Sequence, residues 1–198
     1  MLPFWAILVI AFGISLGLVP LVRAFALRVG ALDRPVARSV HTHPIPYLGG
    51  VAVYLAFLVT LLLAGLSPAE LLSQRGGMAG LLVGGTIILL VGVVDDVLRM
   101  PAGVKFAFQV LAAVVAVALG VRAEFIDNPF GPGYLHFGWM GSLLSVLWLV
   151  ALMNVMNLID GLDGLAAGIA AIVSGTMLLA VQRLHRLLPR RRDRVRRR

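Results

Sequence analysis

The chain has 198 residues, of which 60% are hydrophobic and only 13% charged, with no cysteine, and its mean hydropathy is +0.99. Soluble domains are about 45–50% apolar and about 25% charged, so a soluble globular domain of ordinary size is excluded, as are disulfides, thiolate catalysis and cysteine-held metals. The formal net charge of +8 belongs to the end of the chain: residues 183–198, RLHRLLPRRRDRVRRR, hold nine arginines against one aspartate, and the eight basic and eight acidic residues before them cancel.

A spanning helix needs about 20 mostly apolar residues. Six stretches read as spans: 4–22, 48–66, 79–95, 104–120, 141–158 and 165–182. The predicted fold is an all-α, polytopic transmembrane helix bundle of about six spans. Residues 1–182 form its membrane-embedded domain, and 183–198 an arginine-rich, disordered tail. Ala24-Phe25-Ala26 resembles a signal-peptide cleavage site. However, Phe4–Val22 is too long for a signal-peptide core and no basic residue precedes it, so it is expected to be retained.

From the first loop, 23–47, into the start of the second span runs DRPVARSVHTHPIPYLGG, residues 33–50. Pro35, Pro44 and Pro46 stiffen it. Arg34, Arg38, His41 and His43 supply cations or donors that suit phosphate. A basic loop lying near anionic lipid heads has the same composition, and His41-x-His43 is a weak metal pattern.

The third span ends in VGVVDDVLRMPAGVK. Neighbours on a helix point about 100° apart, so Asp95 and Asp96 cannot share a partner unless the helix stops there. Carboxylates at a membrane boundary are costly unless paired or bound to a cation. Mg²⁺, held by one or two carboxylates and substrate phosphates, is one neutraliser. A solvated helix end with Arg99 or Lys105 as counter-ion is the other.

Between the fourth and fifth spans, EFIDNPFGPGYLHFG places Gly131-Pro132-Gly133 between partly alternating segments. It predicts a small outer hairpin.

The fifth span runs into NVMNLIDGLDGLAAG, residues 154–168. Asn154 and Asn157 lie one turn apart on a shared face. Gly161 and Gly164 break the helix, and Asp160 and Asp163 flank the break. Amides offer both donor and acceptor to a sugar or base edge, and the carboxylates suit a metal or a ribose hydroxyl. Asx caps at an ordinary helix end are the alternative.

Basic residues favour the cytoplasmic side of short loops. Arg23, Arg28, Arg34, Arg38, Arg99 and Lys105 fall in or beside one set of loops, and Arg75 and Arg122 in the other. That asymmetry puts the N-terminus outside and all three polar motifs on the cytoplasmic face. Trp5 and Trp139 then lie at the outer interface, where indoles are favoured.

Taken together, the three motifs resemble one family. Asp33–Gly50 is similar to its D-x-P-x-x-R-x-x-H-x-x-P-x-P-x-x-G-G loop. Asp95–Lys105 is similar to its D-D loop with a downstream lysine. Asn154–Ala166 is similar to N-x-x-N-x-x-D-G-x-D-G-L-A. The family is that of the polyprenyl-phosphate N-acetylhexosamine-1-phosphate transferases, which includes the phospho-MurNAc-pentapeptide translocase. The RSVHTHPIP wording is closer to the branch that uses UDP-GlcNAc or a similar UDP-sugar.

The resemblance implies a membrane enzyme that moves a sugar 1-phosphate from a UDP-sugar to a polyprenyl phosphate and releases UMP, for cell-wall or surface-polysaccharide synthesis. It implies Mg²⁺, with Mn²⁺ as a substitute. It implies Asp95, Asp96 and Lys105 as catalytic residues, with the division between the two carboxylates left open. Substrate contacts fall to Arg38, His41, Asn154, Asn157, Asp160, Gly161, Leu162 and Asp163, with Gly161, Leu162 and Asp163 lining the uridine pocket. Metal ligation falls to Asp96 and Asp160. The partners are a UDP-sugar, a polyprenyl phosphate and the inner or plasma membrane, with a homodimer as an option and no nucleic acid.

Family members carry later spans, an N-x-x-P-A-x-x-F-M-G-D-x-G-S segment and a loop rich in His and Arg, none of which occurs here. The expectation is a C-terminally truncated or frame-shifted product with little or no activity alone. A coupled transporter and a non-catalytic membrane fragment are the competing classes. The first is disfavoured by carboxylates at span ends rather than mid-bilayer.

Overall fold

The computed structural model describes residues 4–33, 45–65, 77–128, 130–160 and 164–187. Six helices and two short antiparallel ladders lie within them. The chain divides into two units, residues 1–150 and 151–198.

In the first unit, α1 is Phe4–Val29. The loop expected from residue 23 begins instead at Gly30, because Arg23 and Arg28 are good helix formers and do not stop a helix at the edge of an apolar run. The stop is a left-handed Gly30 (φ 74°), after which the Ala31 N–H returns to the Ala26 carbonyl at 3.0 Å. Glycine at this point and a six-to-one hydrogen bond define a Schellman end, with an apolar contact across it. Ala26 and Ala31 are both buried.

Strand β1 (Leu32–Asp33) pairs antiparallel with β2 (Ile45–Pro46), Leu32 facing Pro46 and Asp33 facing Ile45. Tyr47 N–H adds a bond to Ala31 O at 3.0 Å. This short neck draws the end of α1 to the start of α2 (Gly49–Leu63). Leu48, just before α2, is left-handed (φ 72°, ψ 11°) and buried against Ala26 and Ala31.

Helices α3 (Met78–Leu98) and α4 (Ala102–Ala118) form an antiparallel pair. Their seam is made of small residues. A Cβ added at Gly80 would stand 2.4 Å from the Ala116 carbonyl oxygen, and one at Gly84 2.9 Å from Ala116 Cβ. Ala112, Ala113 and Ala116 are buried opposite them. Lipid tails are as apolar as leucine, so helices in a membrane associate through close van der Waals contact, which small residues permit. The larger apolar side chains turn outward: Leu8, Phe12 and Leu16 on α1, and Leu143 and Leu147 on α5, are exposed.

α2 meets α3 through Tyr54, whose hydroxyl lies 2.9 Å from Leu82 O and 2.6 Å from Thr86 Oγ1. Beyond α4, β3 (Phe125–Asp127) and β4 (Tyr134–His136) make the expected hairpin, with Phe125 opposite His136. Its turn is closed by Asn128 N–H to Gly133 O at 3.0 Å and by Phe130 N–H to Asn128 Oδ1 at 3.0 Å.

Helix α5 (Trp139–Ile159) begins in this unit. Ser145 Oγ accepts the Ala123 N–H at 2.9 Å and donates to Gly141 O at 2.7 Å, which ties the strand-leading loop to the helix. A cavity of about 760 Å³ lies beside this contact, lined by Met78, Leu81, Val121, Ile126, Phe137 and Trp148 among others.

In the second unit, the last turns of α5 are followed by Asp160, then by α6 (Leu165–Leu187). α6 starts after a left-handed Gly164 (φ 79°), as expected of that glycine, while Gly161 lies outside the described residues. The helix continues five residues past the end expected for the sixth span. Residues 188–198 lie outside the described residues.

Helices α1, α3, α5 and α6 are long and apolar enough to cross a membrane, over Trp5–Val29, Met78–Leu98, Trp139–Ile159 and Leu165–Arg183. The other two expected spans are shorter, Gly49–Leu63 and Ala102–Ala118. At about 1.5 Å per residue they rise about 22 Å and about 25 Å, under the ~30 Å of a bilayer core. The chain is an all-α, multi-pass membrane protein. α2 ends early because Ala64 and a left-handed Gly65 (φ 89°) close it before its apolar stretch is used up.

Candidate functional site

Asp95 and Asp96 occupy the last turn of α3. The helix ends at Arg99, which is left-handed (φ 52°), and Pro101 opens α4. The chain therefore reverses within Arg99–Pro101, bringing Lys105, on the first turns of α4, back to α3. Its Nζ donates to Asp95 Oδ2 at 2.7 Å. Asp95 Oδ1 accepts the Met100 N–H at 3.0 Å. Both carboxylate oxygens of Asp95 thus help hold the turn. The ion pair is half-buried, with side-chain exposures of 29% for Lys105 and 22% for Asp95. Of the two counter-ions the sequence allowed, Lys105 is the one in contact.

Asp96, about 100° further round the helix, faces elsewhere. Its Oδ2 accepts the Leu48 N–H at 3.2 Å, across 48 residues of sequence. The second motif therefore touches the first, at the neck that closes residues 34–44. Among the described parts of the first unit, this end gathers the close of α1, the start of α2, the close of α3 and the start of α4. Gln109, one turn beyond Lys105 on the same face of α4, is a further buried polar residue at this end. Nothing in its apolar flanks marks it out in the sequence.

The third motif belongs to the second unit. Asn154 and Asn157 lie on the last turns of α5, Asn154 half-buried and Asn157 exposed. Asp160 is exposed and closes the helix through its N–H to Met156 O at 3.1 Å. The candidate residues Arg38, His41, Gly161, Leu162 and Asp163 lie outside the described residues, as do Arg34, His43 and Arg75.

Among the described residues, no three His, Asp or Glu side chains cluster as a ready-made metal cage. The donors at the end of α3 are nonetheless two half-buried carboxylates, all oxygen. Such a set fits a hard divalent ion of the Mg²⁺ type, which takes one or two carboxylates and completes its shell with substrate phosphate and water.

Comparison with known proteins points the same way as this geometry. Residues 78–188 match the sequence profile of glycosyl transferase family 4. The chain is 37% identical over 181 residues to a probable undecaprenyl-phosphate N-acetylglucosaminyl 1-phosphate transferase of Bacillus subtilis, covering 89% of this chain and 48% of that protein. It is 39% identical over 115 residues to the decaprenyl-phosphate N-acetylglucosaminephosphotransferase of Mycolicibacterium smegmatis, covering 56% of this chain and 28% of that one. With the undecaprenyl-phosphate alpha-N-acetylglucosaminyl 1-phosphate transferase of Yersinia pestis the identity is 26% over 179 residues, 86% of this chain and 45% of the relative. The chain thus spans about half the length, or less, of these relatives. With the profile covering more than half of its residues, and its acidic and lysine motif folded into one polar helix end, the chain belongs to glycosyl transferase family 4, the polyprenyl-phosphate N-acetylhexosamine-1-phosphate transferases.

Proposed function

We propose that the chain serves transfer of N-acetylglucosamine 1-phosphate from UDP-GlcNAc to a polyprenyl phosphate at the cytoplasmic face of the inner or plasma membrane. An oxygen of the polyprenyl phosphate attacks the β-phosphorus of the nucleotide sugar. A new phosphorus–oxygen bond forms there, and the bond from the β-phosphorus to the bridging oxygen breaks. The electron pair leaves with UMP. Such a transfer needs charge neutralisation and in-line placement more than covalent catalysis.

The observation that carries the reading is the Lys105–Asp95 pair beside Asp96 at one helix end. Lys105 binds a substrate phosphate, and Asp95, its partner in the resting site, holds that ammonium in place until the phosphate arrives. Asn154, Asn157 and Asp160 order the sugar nucleotide. Gly161, Leu162 and Asp163 line the uridine pocket, and Arg38 and His41 approach the phosphates from the first loop. Asp96 would hold Mg²⁺, or Mn²⁺ in its place, which when bound supplies neutralisation of pyrophosphate charge; Asp160, in the second unit, is the other metal ligand the resemblance implies. An apolar groove between α1, α2 and α3 reaches Leu48 and Val93, one turn from Asp96, and suits the chain of a lipid whose phosphate sits at the carboxylates.

The test is UMP release from UDP-GlcNAc in vesicles containing polyprenyl phosphate. The chain is assayed alone and co-expressed with the C-terminal half of the Bacillus subtilis relative. Release is expected with both halves, lost on EDTA treatment and restored by Mg²⁺. No release from the paired halves, with both present in the membrane, would sink the proposal.

A further inference from the structure

The two adjacent carboxylates accept from different backbone amides, Asp95 from Met100 and Asp96 from Leu48, and what the second bond does goes beyond the transferase reading on which it rests. We infer that Asp96, besides the metal-holding role proposed for it, has a positioning role: its carboxylate holds the β1–β2 neck, which flanks the segment 34–44 that includes Arg38 and His41. Three observations support this. Leu48 is a non-glycine residue in left-handed geometry (φ 72°), a conformation that costs roughly 1–2 kcal/mol and persists only where the surroundings impose it. Its N–H points at Asp96 Oδ2, 3.2 Å away. Its side chain is 6% exposed, packed on Ala26 and Ala31, so it is clamped on both sides.

What the clamp holds is small and specific. Leu32–Asp33 and Ile45–Pro46 pair two residues deep, and Tyr47 N–H extends the contact to Ala31 O. Two residues of ladder are weak alone, since even a complete isolated hairpin is marginal in water. The bond from α3 ties this neck to a long helix. It also places a negative charge at the N-terminal end of α2, where the helix dipole favours it. Asp95 has no part in the clamp, because its two oxygens serve Met100 and Lys105.

Hydrogen–deuterium exchange of the 198-residue chain in lipid nanodiscs, resolved at the Leu48 and Tyr47 amides, reads the clamp without requiring activity. Asp96→Ala should speed Leu48 exchange by about ten- to a hundredfold, the range of a hydrogen bond to a charged group. Asp96→Asn keeps an acceptor and should stay within about threefold of wild type. Asp95→Ala should leave the neck amides at wild-type protection. If Asp96→Ala loosens the whole chain, the test rests on Asp96→Asn: protection kept supports the clamp, and Leu48 exchange equal to that of the alanine variant overturns it. Wild-type Leu48 exchange in Asp96→Ala also overturns it. In the paired-half assay, Asp96→Asn should keep the KM for UDP-GlcNAc while kcat falls, and Asp96→Ala should change both. A KM raised equally by the two substitutions is the contrary result. Failure of UMP release with the exchange pattern intact would count against the transferase reading and leave the clamp standing.

Discussion

Replacing Gly80 with alanine forces α3 and α4 apart where they run closest. The new Cβ would stand 2.4 Å from the Ala116 carbonyl oxygen and 2.8 Å from Val121 Cγ2. Ordinary contact begins near 3.4 Å, so the shortfall is about 1 Å, and its nearest obstacle is backbone that cannot rotate away. Opening a packed seam by 0.5–1 Å forfeits about a quarter to a half of each atom contact, each worth ~0.1–0.2 kcal/mol. Over a seam with about as many contacts as one buried leucine makes, 40–60, the loss is roughly 2–3 kcal/mol. Alanine returns about 1 kcal/mol over glycine inside a helix. The net cost is about 1–2 kcal/mol. Gly92, also in α3, has nothing within 4 Å of its would-be Cβ, so Gly92→Ala should gain ~0.5–1 kcal/mol. Reversible unfolding in mixed micelles of mild detergent and dodecyl sulfate, followed by tryptophan fluorescence, compares the two variants. Equal stability within ~0.5 kcal/mol would show that the small-residue seam does not set the helix spacing.

Lys105→Ala should separate stability from chemistry. The half-buried pair is worth at most about 1 kcal/mol, whereas loss of a phosphate-binding cation should cut UMP release by about a hundred- to a thousandfold. Unchanged release in the paired-half assay would remove Lys105 from the site. Ser145→Ala removes the acceptor of the Ala123 N–H and should cost about 0.5–1.5 kcal/mol, read as faster exchange at Ala123; unaltered exchange there would contradict the contact. Because the chain lacks cysteine, single cysteines report sidedness cleanly. An impermeant maleimide should reach Arg99→Cys and Leu165→Cys from the cytoplasmic side and Phe130→Cys from the other. Arg99 and Leu165 labelled from opposite sides would end the common-face proposal.

The helices were legible because each is an apolar run, and composition alone excludes a soluble fold. Gly131-Pro132-Gly133 announced the hairpin, and Gly164 the break before α6. Lys105 as partner of Asp95 was one of two options, and geometry chose it: the reversal at Arg99–Pro101 folds residue 105 back and leaves 99 as the cap. Less was visible wherever a residue's role depends on a distant neighbour. Gly80 and Gly84 read as ordinary glycines in a glycine-rich chain until Ala112 and Ala116 are set against them, and Gly77 until the Gly120–Val121 backbone is. Leu48 looks like any leucine before a helix, and its left-handed backbone and bond to Asp96 come from a contact 48 residues away. Arginines mark the edge of a membrane without marking the edge of a helix, so α1 runs through Arg23 and Arg28 to Val29.

The two-residue ladder has a consequence for how this protein can diversify. Asp33 and Ile45 stand opposite each other, so whatever is threaded between them leaves from and returns to one fixed doorway. Residues could be inserted, removed or swapped within 34–44 without shifting the register of α1 or α2.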